Sequence, residues 1–301
     1  MRVHQTVLSV VALILSVGSG CNMQENDVVS LVPDVEKNID FNTVKWYAVR
    51  ASAAYDSEAE IKTAFPDTVR VAQVGDTQVQ YFLEFDTARN IQIISIRGTA
   101  NLKNIIEDVE YIESKNDRLG IYVHKGFDED TFKIYQDILP FLKKDHAVRL
   151  TGHSLGAAIA ALLMIYLHED GYEVQRLVNF GQPKFTNKQG VARYHSLPLT
   201  RIVDENDVVP LLPPVTLVNA LHGGYEHMGD EVILLKGEEY IYLEQHQADT
   251  KKVEGFWNNL DHESIKEHLI ANYLKNINSK LVKAEQVPFA AREVYLDRHA
   301  D

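Results

Sequence analysis

The stretch that most narrows what this chain can fold into is residues 148–163, Val-Arg-Leu-Thr-Gly-His-Ser-Leu-Gly-Ala-Ala-Ile-Ala-Ala-Leu-Leu. An apolar run with Ala147, Val148 and Leu150 reaches Gly152-His153-Ser154-Leu155-Gly156 and passes directly into strong helix formers. The pattern predicts strand, sharp turn, helix. A serine at the apex of such a turn has a strained backbone, and glycines are wanted two residues to either side, where a Cβ would collide with the neighbouring strand or helix. The turn lifts Ser154 Oγ clear of the sheet and aims the first free helix amide, that of Leu155, at whatever Ser154 attacks. The plain alternative is a surface turn that merely contains G-x-S-x-G; the strand before it and the Ala-rich helix after it argue against that.

An unactivated serine is a poor nucleophile and needs a histidine to take its proton and a carboxylate to orient that histidine. Residues 199–203 read as a strand, and Asp204-Glu205-Asn206-Asp207 then leaves the sheet on the side where sites assemble. Asp207 heads an apolar, proline-bounded loop ending in Pro213-Pro214, which would shield a carboxylate; Asp204 is its competitor. Two late histidines, His262 and His268, complete the chain order serine, acid, histidine. His222, His227 and His246 fit no compact ligand set, so neither metal nor cofactor is expected.

Residues 91–96 are nearly all apolar, as in an interior strand, and end in Arg97-Gly98-Thr99. Thr99 is the candidate second oxyanion donor, although a strand-terminal turn with a helix cap explains the same residues. Leu102, Ile105, Ile106 and Val109 then fall on one helical face, as either a lid over an apolar groove or an ordinary packed helix.

Elsewhere, residues 40–64 read as one helix, and residues 69–74, 78–86 and 90–97 as an antiparallel meander. Residues 128–144 read as a helix with Phe132, Ile134, Tyr135, Ile138 and Leu142 inward and Pro140 interrupting it late. The helix after Ser154 should run to about His168 and end at Gly171, followed by a strand over 174–180 and a helix over 185–194. Residues 217–221, 231–235 and 240–243 read as late strands, and the last helix, within 260–274, should contain His268, with His262 at or before its start. Alternating strands and helices imply an α/β fold: a mostly parallel central sheet with an antiparallel edge and helices on both faces.

A net charge of −13 with no Lys/Arg cluster excludes a nucleic-acid partner, whose phosphates demand clustered cations. The N-terminus has a basic start at Arg2, an apolar run over 7–17 and small residues before Cys21, the layout of an export signal. Cys21 is the only cysteine, so no intramolecular disulfide can form. Directly after small residues, it resembles the lipidation site of bacterial lipoproteins and offers a membrane anchor; an ordinary cleaved signal with an incidental cysteine is the alternative. The expected organisation is a signal over 1–20, a polar tether over 21–38, one folded domain over 39–278 and a tail over 279–301.

Several separated motifs together resemble the class 3 (fungal-type) lipases of the α/β-hydrolase superfamily. They are Ser95-Ile96-Arg97-Gly98-Thr99, Val123-His124-Lys125-Gly126-Phe127, the Thr-Gly-His-Ser-Leu-Gly-Ala run from Thr151, Asn179-Phe180-Gly181-Gln182-Pro183, the Asn206-Asp207 loop and Tyr225-Glu226-His227-Met228-Gly229-Asp230-Glu231. The resemblance runs from about Trp46 to Asn276 and implies the α/β-hydrolase fold, with Ser154 as nucleophile, Asp207 as triad acid and the amides of Thr99 and Leu155 as oxyanion hole. It places residues 101–111 where the interfacial lid lies, and gives His227 no catalytic part. His268, followed by Asn272-Tyr273-Leu274, resembles the base of bacterial members, with one extra residue between; Asp261-His262 resembles that of fungal ones. His268 is preferred. The implied function is an exported or lipid-anchored hydrolase of lipid carboxylic esters (triacylglycerol lipase or esterase) working through an acyl-enzyme. A phospholipase A-type esterase and a non-catalytic lipid- or protein-binding envelope lipoprotein are the alternatives.

Overall fold

A computed structural model describes residues 37–75, 79–98, 112–213, 224–245 and 266–289. The first helical region is two helices, α1 (Phe41–Ala53) and α2 (Glu58–Ala64), rather than the one expected. Ser57 causes the break: its hydroxyl accepts the Glu60 amide while the Glu60 carboxylate accepts the Ser57 amide, a reciprocal cap that starts a new helix. Tyr55 is left in the bend between them.

The meander follows as β1 (Thr68–Val74), β2 (Val79–Asp86) and β3 (Ile91–Ile96), antiparallel throughout. Every residue of β3 is buried, as its continuous apolar run requires of an interior strand. Next come β4 (Glu113–Asn116), β5 (Ile121–His124) and α3 (Lys125–Ile138). The inner face of α3 is Phe127, Thr131, Ile134, Tyr135 and Ile138, whereas Phe132, expected inward, is exposed. It lies one position off the helical stripe.

Then come β6 (Ala147–His153), α4 (Leu155–Glu169) and β7 (Val174–Phe180). Residues 185–194, expected to be helical, begin instead as β8 (Thr186–Asn187), with Asn187 capping α5 (Lys188–Tyr194). β9 (Leu199–Asp204), β10 (Tyr225–Glu226), β11 (Asp230–Leu234) and β12 (Glu239–Leu243) complete the main run. Finally α6 (Ile270–Asn278) leads to β13 (Glu285–Gln286), which pairs with β12. The fold therefore continues past Ser279, and the ammonium of buried Lys280 donates to the carbonyls of Leu235 and Gly237 at 2.7 and 2.9 Å.

The nine-stranded main sheet has the order β1-β2-β3-β6-β7-β9-β11-β12-β13. Strands β3, β6, β7, β9 and β11 run parallel, and β1 and β2 form the antiparallel edge. A four-stranded sheet of order β10-β8-β5-β4 stands beside it. Helix α4 is apolar all round and buried from Leu155 to Leu167, because α3 covers the side that the sheet does not. On the other face, α1 and α6 pack against each other and against β7 and β9 through Phe41, Tyr47, Phe180, Ile202 and Tyr273. Helices thus cover both faces, and the carboxyl ends of β3, β6, β7 and β9 converge on one edge. Among the described residues no helix is long and apolar enough to cross a membrane. Residues 217–221 and 101–111 lie outside the described residues.

Candidate active site

At the end of β6 the chain reverses through Ser154, whose φ of 60° and ψ of −132° lie outside the regions an L-residue ordinarily occupies. Such a backbone costs about 1–3 kcal/mol and survives only where packing dictates it. Here the glycines on either side permit that packing. A Cβ on Gly152 would lie 2.5 Å from the carbonyl carbon of Gly156, and one on Gly156 would lie 2.5 Å from that of Arg97. Helix α4 can therefore start directly against the ends of β3 and β6. Leu155 is its first residue and its N–H has no preceding helical turn to accept it, so it is available to an incoming oxyanion. The Ser154 amide donates to Phe180 O at 3.0 Å, which ties the turn to the end of β7.

Asp207 stands in the turn after β9. Its Oδ1 accepts the Val209 amide at 2.9 Å, so its own loop holds its direction. From the far end of that loop, Pro210 O lies 2.7 Å from Nε2 of buried His227, which thereby props the acid loop. His268 Nδ1 approaches Asp207 Oδ2 at 2.6 Å, both side chains being fully buried. The Tyr273 hydroxyl donates to the same oxygen. Burial first, and then the charge on Asp207, raises the Tyr273 pKa well above its ordinary value, which keeps the phenol a donor.

Asp204 has a different neighbour, the Asn276 amide of α6 at 2.5 Å. Burial pushes its pKa up to about 7. Asp207, not Asp204, therefore faces the imidazole.

His268 lies in the turn before α6, with Leu269 as the N-cap residue, and not inside a helix as its apolar spacing suggested. Gly181, in the turn after β7, leaves room for it: φ is +57°, and a Cβ there would meet both the His268 ring and Asp207 Oδ2. Among the described residues neither Ser154 Oγ nor His268 Nε2 has a hydrogen-bond partner. A fully buried hydroxyl and a fully buried imidazole nitrogen are thus both free for a reacting group. Thr99, His262, His222 and His246 lie outside the described residues.

The sequence reading left four contributors unassigned. In the sequence Gly181 stands only within the Asn179-Phe180-Gly181-Gln182-Pro183 motif, His153 only within the Ser154 motif, and Tyr273 only within the Asn272-Tyr273-Leu274 run that follows His268. Tyr55 was counted in the first helix. The one local signal was at Tyr273, a phenol within two turns of a candidate base.

This architecture is the α/β-hydrolase fold, with serine, aspartate and histidine gathered at the carboxyl edge of its parallel strands. Residues 93–217 match the family model described as lipase (class 3). Among curated relatives, the secreted mono- and diacylglycerol lipase 1 of Fusarium solani is 28% identical over 170 residues, 52% of this chain and 47% of that protein. The lipase of Rhizomucor miehei is 30% identical over 160 residues, 48% of this chain and 42% of that one. The chain thus spans less than half the length of each. Of solved structures, the lipase of Rhizopus microsporus var. chinensis superposes with a TM-score of 0.58 at 23% identity over 67% of this chain and 76% of that one. Lip2 of Yarrowia lipolytica does so with a TM-score of 0.56 at 22% identity over 72% and 84%.

Proposed function

We propose that this protein is a carboxylic ester hydrolase of the class 3 lipase type, acting on acylglycerols through an acyl-enzyme. The observation that carries the reading is the buried Asp207–His268 pair beside a strained serine turn, with Ser154 Oγ and His268 Nε2 both unpartnered among the described residues. Ser154 Oγ attacks the ester carbonyl carbon and His268 Nε2 takes the hydroxyl proton. Asp207 holds the proton on Nδ1, so that Nε2 is the bare nitrogen, and stabilises the imidazolium once it forms.

The carbonyl oxygen becomes an oxyanion, accepting from the Leu155 amide at the start of α4 and, on the resemblance to the family, from that of Thr99. His268 returns the proton to the departing alcohol as the tetrahedral species collapses. Water then attacks the acyl-serine, His268 takes its proton, and a carboxylic acid leaves with Ser154 restored.

The N-terminal residues extend the proposal to export, with residues 1–20 as signal and Cys21 as a lipid attachment point. The experiment compares parent and Ser154→Ala on a soluble short-chain ester and on emulsified triacylglycerol. Loss of both activities in the variant is expected; undiminished cleavage overturns the reading. A chain-length series, with a phospholipid as one arm, then separates acylglycerol from phospholipid preference.

A further inference from the structure

A second set of buried hydrogen bonds links the serine turn to the base, and none of the steps above uses it. The Tyr55 hydroxyl, in the bend between α1 and α2, accepts the Gly98 amide at 3.2 Å and lies 2.8 Å from His153 Nδ1. Across the same ring, His153 Nε2 lies 2.7 Å from the backbone carbonyl oxygen of His268. A carbonyl can only accept, so Nε2 carries the ring proton, Nδ1 is bare and Tyr55 donates to it. The direction of each bond is thereby determined: Gly98 N–H to Tyr55 Oη, Tyr55 O–H to His153 Nδ1, His153 Nε2–H to His268 O. Burial, with repulsion from His268 second, holds the His153 pKa well below the usual histidine range, so the ring stays neutral. It stacks on the His268 ring with centroids 4.6 Å apart and planes 30° from parallel.

The path joins three segments distant in sequence: the strand end that precedes Thr99, the residue before Ser154 and the turn that carries His268. A base displaced by about 1 Å can forfeit about 100-fold in rate, so what fixes the His268 backbone matters to catalysis without touching substrate. We propose that Tyr55 and His153 are positioning residues of the ester-cleaving site, His153 pinning the backbone of His268 while Tyr55 donates to the bare Nδ1 of His153, fixes its ring and tethers Gly98. The proposal rests on the reading of Ser154 and His268 as nucleophile and base. Without the Tyr55 hydroxyl the bare Nδ1 of His153 is left buried with no donor and Gly98 N–H loses its acceptor, so the ring that holds His268 O is itself no longer held.

The test uses the whole protein with Tyr55→Phe, His153→Leu and His153→Gln, each checked for a cooperative thermal transition above the assay temperature. On a soluble ester, Tyr55→Phe and His153→Leu should lower kcat about 10- to 100-fold with KM within about twofold. His153→Gln, whose amide still offers a donor towards the same carbonyl, should recover about tenfold over His153→Leu. A second readout does not depend on ester cleavage. The far-downfield proton NMR signal of His268 Nδ1–H on Asp207, assigned by its absence in His268→Ala, should shift or broaden in Tyr55→Phe and His153→Leu. Unchanged kcat, or lowered kcat with that signal unmoved, overturns the proposal. If the parent cleaves no ester, the functional reading falls separately and the downfield signal alone decides: movement supports positioning, no movement overturns it.

Discussion

Gly181 and His268 are closer than a methyl group allows: a Cβ on Gly181 would lie 2.7 Å from His268 Cε1 and 2.9 Å from Nδ1. The same hypothetical atom would lie 2.9 Å from Asp207 Oδ2. Gly181 directly follows Phe180, whose carbonyl accepts the Ser154 amide. One residue without a side chain therefore borders both the Ser154 turn and the Asp207–His268 pair.

Gly181→Ala should accordingly impair catalysis more than folding. The left-handed backbone costs an alanine about 1 kcal/mol, which a domain of this size tolerates. The imidazole has no room to retreat without leaving Asp207, so kcat on a soluble ester should fall about 100-fold. Steady-state kinetics beside a thermal melt checks this, and a kcat within threefold of the parent would contradict it.

Asp207→Asn and His268→Ala address the pair itself. An asparagine preserves shape but no longer selects the tautomer with a bare Nε2, and kcat should drop by about 10⁴. His268→Ala should lose as much, while His262→Ala should stay near parental activity. A fluorophosphonate labelling rate at Ser154 reports all three without a turnover assay; retention by His268→Ala with loss by His262→Ala would transfer the base role to His262.

Tyr273→Phe removes one of two donors from Asp207 Oδ2 inside a core where nothing else replaces it. A hydrogen bond to a charged group is worth about 1.5–3 kcal/mol, so denaturant unfolding should show a loss of that order. With one donor fewer the carboxylate is held less firmly, so kcat on a soluble ester should also fall. Full stability with an unchanged kcat would show that the phenol contributes nothing.

Asp204 supplies the pH dependence. Its pKa in the folded chain, about 7, is raised above the unfolded value by burial, so the folded state holds a proton that the unfolded state has released. The stability it contributes is complete below about pH 4 and disappears as pH rises through about 7. His124 works in the opposite sense: burial lowers its pKa to about 4, so its contribution is present above about pH 6.5 and is lost on acidification towards 4. Asp204→Asn should therefore flatten the decline between pH 4 and 7 while leaving the His124 acid limb. Denaturant midpoints across that range, parent against variant, isolate the carboxyl; parallel curves would contradict the assignment.

The strand, turn and helix around Ser154 were legible because every determinant is local: β-forming residues, two glycines four positions apart and a run of alanine and leucine. The three-strand meander was legible for the same reason. The Ser57-x-x-Glu60 cap was present in the sequence, yet hydrophobic spacing ran straight through it and merged α1 with α2. Phe132 was assigned inward on its hydrophobicity although its position is off the α3 stripe. His268 was placed inside a helix because Leu269, Ile270 and Tyr273 keep helical spacing. Leu269 instead caps α6 and is exposed, and that turn is what frees the imidazole to reach Asp207.

The sequence by itself determined the serine turn and the amide that opens α4, since each depends on residues next to one another. Only the tertiary structure decided which carboxylate meets His268, because Asp204 and Asp207 share a strand end and differ in what α6 and the turn before it bring to each. Asn276 reaches the first; His268 and Tyr273 reach the second. The Tyr55–His153 path was equally invisible in the chain, for its bonds span 98 and 115 residues and exist only once α1 and the turn before α6 are packed against the end of β6.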